Sequence, residues 1–115
     1  MPPSILFLIK SDPQKSHRPA EAIRIAVGLG TGKNPLTLIL AEKALLLLNY
    51  ETRELEDSET IERYLPILEE WKIPFHAEQE AIQALSLDDH PFTVKTISKE
   101  EIARLLCQAD RHFIF

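Results

Sequence analysis

Residues Ile5-Leu6-Phe7-Leu8-Ile9 form an uninterrupted apolar run that decides the fold class. A strand that is apolar at every position is buried on both faces, as in a parallel sheet covered by helices, whereas a half-exposed strand alternates. A second such run, Leu36–Leu40, follows a segment whose apolar residues have helical spacing. The pattern therefore predicts an α/β domain.

Strand-like and helix-like segments alternate to the end of the chain, as in a sheet with right-handed crossovers and helices on both faces. The predicted strands are Ile5–Ile9, Leu36–Leu40, Phe92–Ile97 and Arg111–Phe115, and the short segment Ile73–His76 either begins a third strand or replaces it. The predicted helices are Pro19–Leu29, Ala41–Leu48, Ser58–Lys72, Glu78–Leu85 and one from Ser98 through Leu106. We expect a three-layer sandwich with a mostly parallel five-stranded sheet, formed by residues 1–115 as a single domain.

Local signals predict where several of these helices begin and how one is interrupted. Ser98 and Glu101 have the spacing of a capping box, in which each side chain binds the other residue's free amide. Ser16 and Ser58 are expected to cap two earlier helices. Pro66 should kink or divide the helix that contains it, because proline lacks the amide that a helix interior requires.

The segment Gly28-Leu29-Gly30-Thr31-Gly32-Lys33 superficially suggests a nucleotide-binding loop. The spacing matches neither the phosphate loop nor the dinucleotide fingerprint, and both of those join a strand to the start of a helix. This segment instead follows a helix and precedes a strand. It is therefore predicted to end the helix, with its glycines in the left-handed conformation.

Composition narrows the classes of protein to which the chain can belong. The 115 residues carry a net charge of −5 and contain no run of Lys and Arg, so we expect no nucleic-acid partner. The single cysteine, Cys107, excludes an internal disulfide and fits a reducing compartment. The sequence has neither a signal peptide nor an apolar run long enough to span a bilayer, so we expect a cytoplasmic protein without a membrane partner.

Three polar residues are candidate ligand-binding residues because they follow predicted parallel strands. Ser11 follows the first strand, Glu42 follows the second, and His76 lies at the end of the third. Ligands bind beyond the carboxyl ends of such strands, and helices that start there direct amide groups toward an anion. A hydrolase or transferase with His76 as general base is a further hypothesis, but no nucleophile accompanies it. We therefore predict no catalytic residues, metal ligands or cofactor.

The layout resembles the DsrE/DsrF-like family, which includes the sulfur-relay subunits TusB, TusC and TusD. The resemblance covers nearly the whole chain and includes the first strand, the helix Pro19–Leu29, the polar pair Glu42-Lys43 after the second strand, and two local segments. Those two segments are Leu68-Glu69-Glu70-Trp71-Lys72-Ile73-Pro74-Phe75-His76 and Ala109-Asp110-Arg111-His112-Phe113-Ile114-Phe115.

The resemblance implies a role in sulfur metabolism, with one departure. Sulfur-carrying members place a persulfide-forming cysteine after the third strand, where this chain has His76 or Ala77. Cys107 lies in the last helix beside Leu105 and Leu106, and it is predicted to be packed, protonated and hard to reach. The first hypothesis is a non-carrier subunit or accessory protein in sulfur relay. The alternative is a domain that binds a small anion or a metal in the crevice around His76.

Self-association is also expected. The run Ala44–Leu48 is more apolar than a short surface helix requires, and exposed apolar patches often mark interfaces. Members of the family that the chain resembles form dimers, trimers or hexamers. The expected partner is therefore a second copy of the chain or a related DsrE-like subunit.

Overall fold

Every residue of the run Ile5–Ile9 is buried, as its uninterrupted apolar pattern predicts, and together these residues form strand β1. The computed structural model describes residues 3–31, 34–50, 54–84 and 94–115. Four further strands are β2 (Leu36–Leu40), β3 (Phe75–Glu78), β4 (Val94–Ile97) and β5 (Arg111–Ile114). They form one five-stranded sheet in the order β4-β3-β2-β1-β5, and every neighbouring pair is parallel. The predicted α/β class is confirmed.

Helices cover both faces of this sheet. On the first face lie α1 (Arg18–Gly30), α2 (Ser58–Glu70) and α3 (Gln79–Ala84), whose buried residues share one core with the inward residues of β1, β2 and β3. Helix α4 (Lys99–Gln108) packs on the opposite face, which we call the α4 face. The chain steps from β1 to β4 in one direction and then returns across the sheet to β5. A right-handed crossover in the return direction places its helix on the opposite face.

The segment after β2 differs from its prediction. A 3₁₀ helix spans Glu42–Asn49, and Ala44 through Leu48 are all at most 5% exposed. The run is therefore part of the first core and not a surface patch, so the argument for self-association from its exposure was wrong. Its leucines are buried because both α3 and the sheet close over the segment.

The predicted helix starts are partly confirmed. The capping box of α4 is present, since the Ser98 hydroxyl accepts the Glu101 amide at 3.2 Å and the Glu101 carboxylate accepts the Ser98 amide at 3.5 Å. At the start of α1 the capping position is held by His17 and not by Ser16, although the Ser16 hydroxyl accepts the Arg18 amide at 3.1 Å. Ser58, in contrast, is the first residue of α2, and the capping position before it is held by Asp57 in a left-handed conformation.

The predicted division of α2 and the predicted left-handed glycines of α1 were wrong. Helix α2 is continuous through Pro66, with Ile61, Leu65 and Leu68 as its buried residues, and a kink at Pro66 stays a prediction. Helix α1 also continues through Gly28 to Gly30, and neither glycine has a positive φ. A β-carbon at position 30 would lie 2.7 Å from Cζ3 of Trp71, so space and not backbone conformation favours glycine there.

Some predicted positions lie outside the described residues, namely Gly32, Leu85 and the first two residues of the predicted fourth strand, Phe92 and Thr93. Within the described part of the chain, no helix is long and apolar enough to cross a membrane.

Candidate functional site

A cavity of about 290 Å³ opens at the carboxyl edge of the sheet, on the α4 face. Its lining residues are Leu8, Lys10, Ala41, Glu42, Glu78, Lys99 and Ile102. After β3 the chain enters α3 on the first face, whereas after β4 it enters α4 on the other face. In a parallel sheet, ligands usually bind in the crevice that opens at the carboxyl edge between two neighbouring strands whose following connections cross opposite faces of the sheet. The cavity therefore lies where the topology predicts a site.

Strand alternation explains why Lys10 and Glu78 reach this cavity. Successive side chains point to opposite faces of a sheet, so Lys10 shares the face of Leu8, and Glu78 shares the face of His76. Lys10 is the first residue after β1, and Glu78 is the last residue of β3. Neither residue was among the predicted site residues, although the period of two would have placed both on the α4 face once the strand ends were known.

Glu42 is the predicted site residue that lines the cavity. Its backbone is left-handed, with φ of 53°, at the first residue of the 3₁₀ helix and two residues beyond the end of β2. This conformation costs a residue with a β-carbon roughly 1–2 kcal/mol, and such strain is found at functional sites more often than elsewhere. The left-handed turn separates the end of β2 from the buried 3₁₀ helix and leaves the Glu42 side chain exposed at the edge.

The charges around the cavity are mixed. The Lys99 ammonium lies 3.2 Å from Oε2 of Glu80, and that hydrogen bond is the main reason that the pKa of Lys99 is raised. The negative charges of Glu80, Glu78 and Glu42 raise the pKa further. Lys99 therefore carries a positive charge at the mouth of the cavity, paired with Glu80 and near the negative charges of Glu78 and Glu42.

Ser11 lies outside the lining of the cavity. Ser11 follows Lys10, so its side chain is expected on the opposite face of the sheet from the cavity. Its hydroxyl donates to the backbone oxygen of Phe115 at 2.8 Å. The Ser11 amide donates to the same oxygen at 3.2 Å. Ser11 therefore fastens the end of β5 to the loop after β1, and its predicted part in ligand binding stays a prediction.

His76 is the second residue of β3 and pairs with Ile39 of β2, so it does not stand in a loop beyond the strand. Its side chain is half-buried on the α4 face, two residues before Glu78 and deeper than the cavity lining. Nδ1 has no hydrogen-bond partner among the described residues. The structure therefore places Glu42 at the cavity, His76 beneath it and Ser11 beside β5. A ligand-binding role for His76 remains a prediction.

Burial lowers the pKa of His76 below its ordinary value of 6.5, and the nearby Lys95 ammonium lowers it further. The backbone of Leu38 and the charge of Glu101 act on this pKa in the opposite direction without restoring it. The folded protein therefore holds the imidazole neutral at neutral pH. An unfolded chain binds a proton there more readily than the folded chain does.

We expect the folded protein to lose stability as the pH falls from about 7 through 6.5 toward the lowered pKa of His76, because over that range the unfolded state binds more protons. Thermal unfolding of wild type and His76→Gln across this range measures the effect. The wild-type melting temperature should fall more steeply with acidification than that of the variant, in which the titration is removed. Parallel pH profiles would contradict the assignment.

No three His, Cys, Asp or Glu side chains converge as a metal site within the described ranges. The ionic groups that the cavity offers are two ammonium groups and two carboxylates. The arrangement is suited to polar small molecules with charges of either sign.

Comparison with known proteins gives a structural match. No protein-family model matches the sequence, and no curated protein is significantly similar to it. Among solved structures, the ychN protein from E. coli superposes with a TM-score of 0.81 over 100% of both chains at 19% sequence identity. The chain has the DsrE-like fold. This result supports the fold to which the sequence resemblance pointed.

Within the DsrE-like fold, Cys107 lies at the opposite edge of the sheet from the cavity. Helix α4 starts at Lys99, beside the cavity, and runs back to the amino edge, where Gln108 is its last residue. Cys107 lies eight positions after Lys99 in the helix, which is roughly 12 Å along the axis.

The prediction that Cys107 is packed was wrong, because the residue is exposed. Helix α4 presents Ile102 and the partly buried Leu105 and Leu106 to the sheet, and the residue after Leu106 turns toward solvent. The predicted inaccessibility of the thiol therefore fails along with the packing.

Proposed function

We propose that this chain is a non-carrier subunit or accessory protein in intracellular sulfur relay. The DsrE-like fold and the sequence resemblance support this role. The observation that carries it is the position of Cys107 at the amino edge, away from the cavity at the carboxyl edge. Position 79, which follows β3 directly, is Gln, and no cysteine lies near that end of the strand.

The proposed role requires a surface of this chain that binds the sulfur carrier, and it does not require a reactive thiol on this chain. The proposed partner is a second copy of the chain or a related DsrE-like subunit. The proposed compartment is the cytoplasm. The chain would stabilise or orient a carrier whose persulfide forms elsewhere in the assembly, and it would have no independent catalytic activity.

The test measures sulfur on the protein and sulfur delivered by a carrier. After incubation with cysteine and a cysteine desulfurase, intact-mass spectrometry should show no stoichiometric gain of a sulfur atom at Cys107. In a second reaction, a persulfidated DsrE-like carrier transfers sulfur to its acceptor with and without this chain. Wild type and Cys107→Ser should raise the transfer rate equally, because the thiol takes no part.

Two results would overturn the proposed role. Stoichiometric sulfur on wild type that is absent from Cys107→Ser would make the chain a carrier. A transfer rate unchanged by adding either form would remove the accessory role.

A second candidate function, binding of a small anion or metal at the carboxyl edge, is favoured by the cavity and by its two lysines. Sulfate is a suitable anionic probe because an ammonium group binds its oxygens by charge-assisted hydrogen bonds. Lys99 is already engaged by Glu80, so Lys10 is the cation expected to contribute most of the sulfate binding.

Titration of sulfate, followed by amide chemical shifts, should perturb Lys10 and the start of α4. Lys10→Ala should weaken this binding about ten-fold, which corresponds to about 1.4 kcal/mol. Lys43→Ala is the matched control, because Lys43 is an exposed lysine near the same edge that lies 3.9 Å from Asp12 and outside the cavity lining. Equal affinity in wild type and Lys10→Ala would contradict the sulfate site, and Mn²⁺ titrated in parallel tests the metal alternative.

His76→Ala tests the role predicted for the histidine in the same assay. A loss of sulfate or Mn²⁺ affinity in this variant would extend the site from the cavity to the half-buried imidazole of His76. Unchanged affinity for both probes would leave His76 as part of the packing beneath α4.

A further inference from the structure

Strand β5 forms one edge of the sheet and is exposed along its whole length. Of the large apolar side chains exposed in the described part of the chain, two are neighbours on this strand, Phe113 at 41% and Ile114 at 46%. Both edge strands carry an exposed cation, Arg111 at the start of β5 and Lys95 near the middle of the opposite edge strand, β4, but β5 also exposes these two apolar side chains. Lysine within an edge strand discourages pairing with another chain, whereas an exposed apolar edge favours it.

The backbone of β5 has groups available for pairing on its outer side. The amides of Arg111 and Phe115 donate to Ser4 and Leu8, so alternate residues of β5 direct their backbone groups toward β1. By the same alternation His112 and Ile114 direct theirs away from the sheet. The oxygen of Ile114 also accepts a bond from Arg18 at 3.3 Å, which leaves a second lone pair on that carbonyl.

This pattern is complementary to itself about a two-fold axis at Phe113. In an antiparallel pair centred there, His112 of one copy lies opposite Ile114 of the other, and the outward amides and carbonyls of each meet those of its partner. Phe113 then faces Phe113 as a non-hydrogen-bonded pair, in which side chains approach most closely. Both phenyl rings remain on the first face, where each stacks on Phe7 with centroids 5.4 Å apart.

We infer that β5 is a self-association edge, at which two copies of the chain pair antiparallel about Phe113 and join their sheets. A second copy is the favoured occupant because one register pairs the outward backbone groups of His112 with those of Ile114 and brings Phe113 opposite its own symmetry mate. This inference specifies the self-association included in the proposed function, but it involves no sulfur chemistry.

Disulfide trapping is the appropriate test, because a four-residue edge buries less area than the roughly 1,200–2,000 Å² of a stable interface. In a Cys107→Ser background, Phe113→Cys places its thiol opposite its own symmetry mate, within the Cα separation that a disulfide requires. Under oxidised glutathione it should form several-fold more covalent dimer than Lys43→Cys, an exposed control position away from β5.

A second pair of variants tests the register without altering the Phe7 stack. His112→Cys mixed with Ile114→Cys should give more cross-linked product than either variant alone, because these residues lie opposite one another across the axis. Dimer yields for Phe113→Cys and for the mixture no higher than for Lys43→Cys would overturn the inference. Preferential self-cross-linking of His112→Cys would also overturn it, since the axis would then lie at position 112.

These experiments contain no sulfur donor, so their outcome is separate from that of the relay assay. If the variants do not cross-link but the chain raises sulfur transfer in the relay assay, the β5 interface is wrong and the accessory role stands. If the variants cross-link but the chain does not raise sulfur transfer, the accessory role is wrong and the interface stands.

Discussion

Phe7→Ala is expected to destabilise the protein by about 3–5 kcal/mol, the range for truncating a buried phenylalanine. Phe7 is 0% exposed in β1, the strand between β2 and β5. Its ring stacks on Phe113 at 5.4 Å and on Phe115 at 6.1 Å. The truncation therefore leaves a cavity at the centre of the first core and removes both ring contacts on the β5 side.

Urea denaturation followed by far-UV circular dichroism measures this loss of free energy of unfolding. Phe113→Ala is the matched control, because it removes a ring from the same stack that is 41% exposed, and it should cost clearly less. Both variants should be measured at protein concentrations at which sedimentation shows monomers, so that self-association adds nothing to the free energy of unfolding. Equal losses for the two variants would show that Phe7 is not the centre of the core.

Leu45→Ala is expected to cost about 2–5 kcal/mol, the range for a leucine truncated in a close-packed core. Leu45 is 0% exposed in the 3₁₀ helix Glu42–Asn49, and it belongs to the same core as α1, α2 and the sheet. If this run were an association surface, its truncation would lower the oligomer mass and leave the stability of the monomer intact.

The same denaturation experiment separates these two possibilities. Lys43→Ala is the control within the same helix, since its side chain is 60% exposed and its ion pair with Asp12 has an N···O distance of 3.9 Å. Exposed ion pairs contribute at most about 1 kcal/mol, so this variant should be close to wild type. If Leu45→Ala were as stable as Lys43→Ala but associated less, the segment would be an exposed association surface and not part of the core.

The local sequence was sufficient for features that depend on neighbouring residues. The apolar run Ile5–Ile9 predicted a strand buried on both faces, because a continuous pattern leaves no face for solvent. Ser98 and Glu101 predicted the start of α4, because a capping box needs two side chains three residues apart and nothing from the rest of the chain. The alternation of such elements was enough for the α/β class, which the match to the ychN protein supports.

The candidate site was predictable in its location and less so in its residues. Parallel strands place their carboxyl ends at one edge, so Glu42 could be assigned to that edge from its position after β2. A strand end misplaced by one residue exchanges the face assigned to a side chain, and an error of two residues keeps the face but changes the distance from the edge. That sensitivity explains why Lys10 and Glu78 line the cavity while Ser11 lies beside β5 and His76 lies deeper.

The helices and strands, and from their alternation the parallel sheet, follow from the sequence alone, since hydrophobic periodicity and capping are local properties. Which apolar surfaces are covered follows only from how the folded chain packs. Leu45 is buried because α3 and the sheet close over its helix. Cys107 is exposed because helix α4 packs on the sheet through Ile102 and its apolar neighbours, and Cys107 points away from that contact. Burial depends on partners that are distant along the chain, and an apolar residue has the same sequence signature whether another element covers it or solvent does.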